Sequence, residues 1–371
     1  MKYLDLRQLN ATDKRHNILS WHYLRQTKRK AELFWFGITF KRTLNLLKCA
    51  VNFLFGKTKI NSLPLFVKIE LSARCNLACT VCLHSHTNDN LQQNFSVRMP
   101  MPTYKRLVDE MQNRIFGLSL YYMGEAFLNP DIIEAIRYAC QYHLSTHISS
   151  NFSFPMPEAL VRDIVKSGLT HLTVCIDGLT NNTYQKTRVN GDVELVIKNL
   201  RRIMSEKTKQ KSRYPQIEIQ FIQFAHNTNE LYDVLRLFSE LKADQVAVIK
   251  GSLHNYTDMH PDNYHIFYPL KKKPAPRCWW PWGSVTIKPN GEVLPCCYHR
   301  IADQFSSMKN SRALGNINHD SFQNIWNNSA YRSIRETCRI PALFIEEPVR
   351  RVHFCYGCDK LFHTDKHKNE K

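Results

Sequence analysis

The sequence predicts an α/β protein built from parallel βα units, and three observations predict it. β-rich apolar runs alternate with amphipathic helical stretches from about residue 65 to 250. A trio of cysteines, Cys75, Cys79 and Cys82, follows directly on the first run, at the strand end where α/β barrels gather functional groups. The hydrophobic share, 43% of 371 residues, suffices for one large core or two domains.

The first 61 residues precede that alternation. Within them Phe36, Phe40, Leu44, Leu47, Val51 and Leu54 recur at helical spacing, with Lys41, Asn45, Lys48 and Asn52 on the other face. The pattern is an amphipathic helix, expected to pack its apolar face on the catalytic domain; the alternative is a helix lying on a membrane surface. Lys41, Arg42 and Lys48 interrupt the run, so it should not span a bilayer. Gly56 is the expected C-terminal cap, and Pro64 marks entry to the first strand.

Strands are then expected over 65–71, 116–122, 145–149, 171–176, 216–224 and 244–249, with helices near 102–114, 131–142, 157–167, 191–206 and 228–241. Six strands are too few for a closed eight-stranded barrel. Residues 251–276, rich in His, Tyr, Asn, Pro and Lys, read as a linker or active-site loop. After them Pro289-Asn290-Gly291 separates two β-rich runs, a hairpin signal that brings Cys278 and Cys296 towards each other.

The bulk numbers narrow the setting. A formal charge of +19 favours an anionic partner, either phosphate-bearing substrates or acidic lipid headgroups. Nucleic acid is not expected, because no aromatic-basic interleaving accompanies the scattered lysines. Twelve cysteines behind an N-terminus without a signal region point to the reducing cytoplasm, where thiols bind metal more often than they pair.

Cys75, Cys79 and Cys82 form a CxxxCxxC motif. Thiolates are iron–sulfur ligands, and a cubane cluster needs four protein ligands to be closed, so three leave one iron open to a small molecule. The alternative is structural zinc, with His84 or His86 as a fourth ligand. A second constellation comprises Cys278, Cys296 and the pair Cys355-x-x-Cys358, with Cys297 and Cys338 nearby; a zinc ribbon is its alternative reading.

The first motif resembles the signature of radical S-adenosylmethionine (radical SAM) enzymes. The resemblance implies that Cys75, Cys79 and Cys82 hold a 4Fe-4S cluster whose open iron chelates SAM. An electron from it cleaves SAM to methionine and a 5'-deoxyadenosyl radical that abstracts substrate hydrogen. Val81 stands where the family usually has an aromatic residue. Tyr122-Met123-Gly124-Glu125-Ala126 resembles the family's GGEP segment, implying that Gly124 and Glu125 meet the amino group of SAM. Ser149-Ser150-Asn151 resembles its Thr-Asn-Gly turn, implying contacts from Ser149 and Asn151. Cys175-Ile176-Asp177-Gly178 with Tyr184-Gln185-Lys186-Thr187-Arg188 is similar to its Ser-Ile-Asp-Gly and Tyr-x-x-Ile-Arg segments. Cys175 replaces the usual Ser, and Arg188 is implied to pair with the SAM carboxylate, which suits a forked donor. The cysteines from Cys278 onward resemble the opening of SPASM and twitch extensions. They imply one auxiliary 4Fe-4S cluster on Cys278, Cys296, Cys355 and Cys358, with Cys338 as a possible substitute ligand.

The resulting expectation is a partial (β/α)6 TIM-like barrel with a small C-terminal α+β SPASM/twitch-type domain and an N-terminal helical extension. Its bounds are 1–61 for the extension, 62–265 for the radical SAM core, 266–365 for the auxiliary cluster domain and 366–371 for a tail. The expected activity is radical SAM oxidation in the cytoplasm, fed by an external electron donor such as flavodoxin or ferredoxin. Residues 1–61 do not look like the helix-and-strand recognition domain of many peptide-maturing members, and the basic charge with the membrane-surface alternative tilts the expected substrate towards a phosphate-bearing sugar or lipid-linked glycan precursor. A peptide- or protein-modifying maturase is the alternative, and a non-catalytic zinc protein the alternative of another class.

Overall fold

The computed structural model describes residues 35–80, 82, 98–250, 277–297 and 313–340. These fall into two compact units: residues 35–38, 73–82 and 123–250 in one, and 39–72, 98–122, 277–297 and 313–340 in the other, within these described limits. Cys355 and Cys358, His84 and His86, the expected loop 251–276 and the tail lie outside the described residues.

The first unit holds β3 (Ser145–Ser150), β4 (His171–Cys175), β5 (Gln216–Gln223) and β6 (Gln245–Lys250), paired in that order and all parallel. Register runs His147 to His171 to Gln216, and Ser149 to Thr173 to Glu218 to Gln245. β4 is buried along its whole length, as a strand covered on both faces must be. The unit's helices are α3 (Ile132–Gln141), α4 (Glu158–Lys166), α5 (Asn181–Tyr184), α6 (Val193–Lys209) and α7 (Leu231–Leu241). α6 shows why such a segment folds locally. Asp192 accepts hydrogen bonds from the Glu194 and Leu195 N–H groups, Glu194 lies at the positive end of the helix dipole, and Lys207 and Lys209 lie at the negative end. Val193, Val196, Leu200 and Ile203 then recur at helical spacing and are buried.

The second unit opens with α1 (Phe40–Leu54), β1 (Phe66–Ile69), α2 (Met101–Met111) and β2 (Gly117–Ser119). It continues with α8 (Trp280–Gly283), β7 (Ser284–Ile287), β8 (Val293–Leu294), α9 (Phe322–Trp326) and α10 (Ser329–Arg339). β1 pairs in parallel with β2 on one side and β7 on the other. β7 and β8 form the expected hairpin, with Thr286 opposite Leu294 and Gly291 at φ +86° in its turn. Five of the six strands β1 to β6 have both ends within two residues of expectation, and β2 ends three residues short of it.

α1 forms where expected but is turned the other way. Its buried residues are Arg42, Asn45, Cys49 and Asn52, while Phe40, Leu44, Leu47, Val51 and Leu54 are exposed. The expectation that its apolar face packs inward is therefore overturned. The cause is hydrogen bonding. Asn45 donates to the carbonyls of Leu63 and Arg114 and accepts from the Leu63 N–H, and Arg42 donates through Nε and Nη2 to the Gln112 carbonyl. Asn52 donates to Ser62 and Asn61, and the Cys49 thiol to the Trp282 carbonyl. Each buried polar group of this face thus satisfies loop backbone or polar side chains that would otherwise lose water without compensation. Gly56 ends the helix as expected: at φ +60° it donates to the Phe53 carbonyl while Lys57 donates to that of Asn52. No helix among the described residues is long and apolar enough to cross a membrane.

Around α10, Arg335 is fully buried. Its guanidinium lies 4.6 Å from the Trp326 ring centroid and 4.9 Å from that of Tyr331, and it donates to the carbonyls of Pro281 and Thr58. Cation–π contact and carbonyl acceptors hold this charge, which accounts for its tolerance of the interior. Burial still lowers its pKa to about 10.

Candidate active site

The cysteine loop leaves the sequence Ala73-Arg74 and is tied to the first unit by main-chain bonds. Ala78 N–H donates to the Val189 carbonyl at 3.1 Å, and Thr80 N–H to that of Thr187 at 3.0 Å. Cys82 N–H closes a tight turn on the Cys79 carbonyl. Asn76 Nδ2 donates to the Ser153 carbonyl at 2.6 Å, and Asn151 Nδ2 to Asn76 Oδ1 at 3.1 Å. The same Asn151 nitrogen lies 3.8 Å from Cys75 Sγ. Cys79 is buried, and Cys75 and Cys82 are half-buried.

Burial pushes the Cys75 thiol up to about 12, and the neighbouring Glu125, Cys79 and Cys82 push in the same direction. Burial likewise takes Cys79 to about 11, against the opposing pull of Arg188. The three sulfurs therefore share one electrostatic neighbourhood. Among the described residues, however, no three His, Cys, Asp or Glu side chains form a group that could hold a metal ion. A single zinc would need its thiolates about 2.3 Å from one point. In a polynuclear cluster, by contrast, each thiolate takes its own iron.

Glu125 sits at the next strand end, in the turn after β2, and is 2% exposed. Its N–H donates to the Arg74 carbonyl, beside the first cysteine. Its carboxylate accepts from Asn151 N–H at 2.7 Å, Ser150 Oγ at 2.8 Å and Phe127 N–H at 3.2 Å. Burial raises its pKa to about 7 despite those donors. The side chain thus fixes the end of β3 and the turn after it, where Ser150 and Asn151 stand. Gly124, immediately before it, is half-buried.

Arg188, 16% exposed, donates through Nε to Asp177 Oδ2 at 2.6 Å, and Asp177 is 1% exposed. Asp177 Oδ1 accepts from the Ile222 N–H, so the carboxylate is fully used. The Arg188 charge lies close enough to Cys79 to oppose the rise of its thiol pKa. Burial alone would lower the Arg188 pKa, but Asp177 and the nearby thiols raise it well above its ordinary value, so its charge is permanent. The Cys175 thiol donates to Gln220 Oε1 at 3.6 Å and lies 3.5 Å from Ser149 Oγ. Tyr184 is fully buried beside these groups, and its hydroxyl has no partner among the described residues.

A polar column on alternate strand positions was not expected from the sequence. Thr173 Oγ1 donates to Glu218 Oε1 at 3.1 Å and lies 2.9 Å from His147 Nε2 and 3.2 Å from His171 Nε2. Ser149, Cys175 and Gln220 continue the same faces two residues on. The signal was the period-two recurrence of polar residues within His147-x-Ser149, His171-x-Thr173-x-Cys175 and Gln216-x-Glu218-x-Gln220.

In the second unit Cys278 N–H donates to the carbonyl of Cys338, a buried residue of α10. Cys296 and Cys297 follow β8, both half-buried. The structure therefore places Cys278 beside the chain position of Cys338, while the remaining expected ligands, Cys355 and Cys358, are outside the described residues.

Residues 69–218 match the Radical SAM superfamily and residues 278–359 match SPASM, an iron-sulfur cluster-binding domain. The chain belongs to the radical SAM superfamily and carries a C-terminal SPASM-type domain. Its cofactors are those of the family, SAM and 4Fe-4S clusters, and its fold is of the α/β class.

Among similar proteins, the mycofactocin maturase MftC of Mycobacterium tuberculosis is 23% identical over 309 residues, covering 74% of this chain and 73% of MftC. The antilisterial bacteriocin subtilosin biosynthesis protein AlbA of Bacillus subtilis is 22% identical over 326 residues, 80% of this chain and 67% of AlbA. The crystal structure of Streptococcus suis SuiB bound to precursor peptide SuiA shares the fold with a TM-score of 0.58 at 14% identity, covering 79% of this chain and 71% of SuiB.

Proposed function

We propose that this chain is a peptide-modifying radical SAM enzyme of the cytoplasm. The observation that carries the reading is the thiol trio pinned beside Arg188 and Asn151, in a chain whose relatives include MftC, AlbA and the SuiA-bound SuiB. The sugar or glycan substrate expected above gives way to the peptide alternative. That expectation rested on the chain's basic charge and the membrane-surface alternative, together with the character of residues 1–61, of which 1–34 lie outside the described residues.

Cys75, Cys79 and Cys82 would hold the SAM cluster, and Cys278, Cys296, Cys355 and Cys358 the auxiliary one. When bound, the first cluster supplies the electron that splits SAM into methionine and a 5'-deoxyadenosyl radical. The chain's own part is orientation and charge. Loading must expel protons from Cys75 and Cys79, since thiolate is the ligand and burial keeps both thiols protonated. Arg188, held at Nε by Asp177, keeps other N–H groups for a carboxylate and stabilises the Cys79 thiolate. Glu125 fixes the turn that presents Asn151 to the loop. An external one-electron donor such as flavodoxin or ferredoxin would feed the reaction, and the cluster that Cys278, Cys296, Cys355 and Cys358 would hold could accept an electron from the peptide, making the reaction a net oxidation.

The test is anaerobic turnover with SAM and reductant against precursor peptides, nucleotide sugars and lipid-linked sugars. The expected result is 5'-deoxyadenosine formation stimulated by a peptide that changes mass. Stimulation by sugars alone would overturn the peptide reading. In parallel, Cys75→Ala/Cys79→Ala/Cys82→Ala should keep about half the iron, each cluster being held independently. A colourless, zinc-loaded wild type would sink the enzyme altogether.

A further inference from the structure

α1 presents an apolar stripe that its own fold does not use. Phe40, Leu44, Leu47, Val51 and Leu54 alternate four and three residues apart, and Phe55 follows at once. They are 84%, 41%, 59%, 44%, 69% and 74% exposed, respectively. Single exposed apolar residues are ordinary, but six on one helix of about 22 Å form a contiguous patch of the kind that marks an interaction surface.

Charge identifies the partner. Lys41, Lys57 and Lys59 are exposed on and just beyond the helix, and residues 33 to 69 contain no Asp or Glu at all. The whole chain carries +19. A second copy is the poorer fit. Two such helices face to face would oppose lysine to lysine with no acidic residue to pair, over only about two heptads. The helix cannot cross a bilayer either.

We infer that α1 docks this chain flat on an anionic lipid surface, its apolar stripe in the boundary between headgroups and acyl chains and its lysines among the phosphates. Each lysine near such a surface adds about fivefold to the partitioning. Docking is independent of the cluster chemistry, because α1 contributes none of the groups placed around the thiols.

The test is co-sedimentation of the full-length, cluster-loaded protein with phosphatidylcholine vesicles with and without phosphatidylglycerol. Binding is expected to the anionic vesicles and to weaken as salt rises. Leu47→Glu/Leu54→Glu should lower the partition coefficient about a hundredfold, and Lys41→Gln/Lys57→Gln/Lys59→Gln by about a hundredfold as well. Both variants should keep the circular dichroism and SAM cleavage of the wild type. Three results would overturn the inference: no binding to anionic vesicles, binding that survives the double glutamate variant, or a wild-type dimer in solution that this variant splits.

Discussion

Arg188 and Asp177 meet at 2.6 Å through the guanidinium Nε, a contact that does not use the two terminal nitrogens of the fork. Asp177 spends its other oxygen on the Ile222 N–H. The pair therefore works as a bracket: a buried acid at the end of β4 sets where the cation stands beside Cys79.

Arg188→Lys retains the charge but loses the planar fork. SAM affinity should fall about tenfold or more in equilibrium binding, while iron content stays at the wild-type value. Wild-type affinity in this variant would remove Arg188 from the carboxylate site. Asp177→Ala leaves the cation uncompensated and should cost about 3 kcal/mol in urea denaturation.

Glu125 gives a pH dependence. Its folded pKa of about 7 lies above the ordinary 4.5, so the folded state binds the proton more tightly than the unfolded chain. The sign follows: this residue's contribution is most favourable below about pH 4.5, is lost as pH rises through about 7, and above that the buried charge costs up to about 3 kcal/mol. Denaturant midpoints of the cluster-free protein should therefore fall, relative to Glu125→Gln, between about pH 5 and pH 8. A constant difference across that range would show that the carboxyl is ionised throughout.

Thr173→Val removes the hydroxyl shared by His147, His171 and Glu218 at nearly constant volume. Glu218, 4% exposed, loses a donor, and stability should drop by about 2 kcal/mol. An unchanged melting transition would mean that the histidines close over the gap.

Asn45→Ala should cost about 3 kcal/mol, because it strands the Leu63 N–H and two carbonyls under a fully buried side chain. Leu47→Ala, two residues on, should change the unfolding free energy by less than about 0.5 kcal/mol. Equal effects at the two positions would contradict the orientation of α1.

Strand positions were legible because each is an apolar run bounded by turn residues, as His171–Cys175 is by Gly168 and Gly178. The thiol trio, Glu125, Asn151 and Arg188 were legible because each belongs to a short local motif. The roles of Glu125 and Asp177 were not, because both carboxylates turn to backbone N–H groups contributed by residues 25 or more positions away. The orientation of α1 was hidden for a different reason. Hydropathy counts apolar side chains, whereas this helix is held by Asn45 and Arg42 meeting carbonyls at 63, 112 and 114, distant in sequence. The column at Thr173 escaped notice since its polar residues alternate with the apolar ones that announce a strand.

The two ladder-like bonds from Ala78 to Val189 and from Thr80 to Thr187 run through main chain only. Side-chain drift at those four positions leaves them untouched. Losing or gaining one residue between Asp177 and Val189 would not: the slip would shift the strap by one notch, dragging the sulfur-bearing loop and the guanidinium out of step together. Length in that stretch, more than composition, is what the chemistry holds constant.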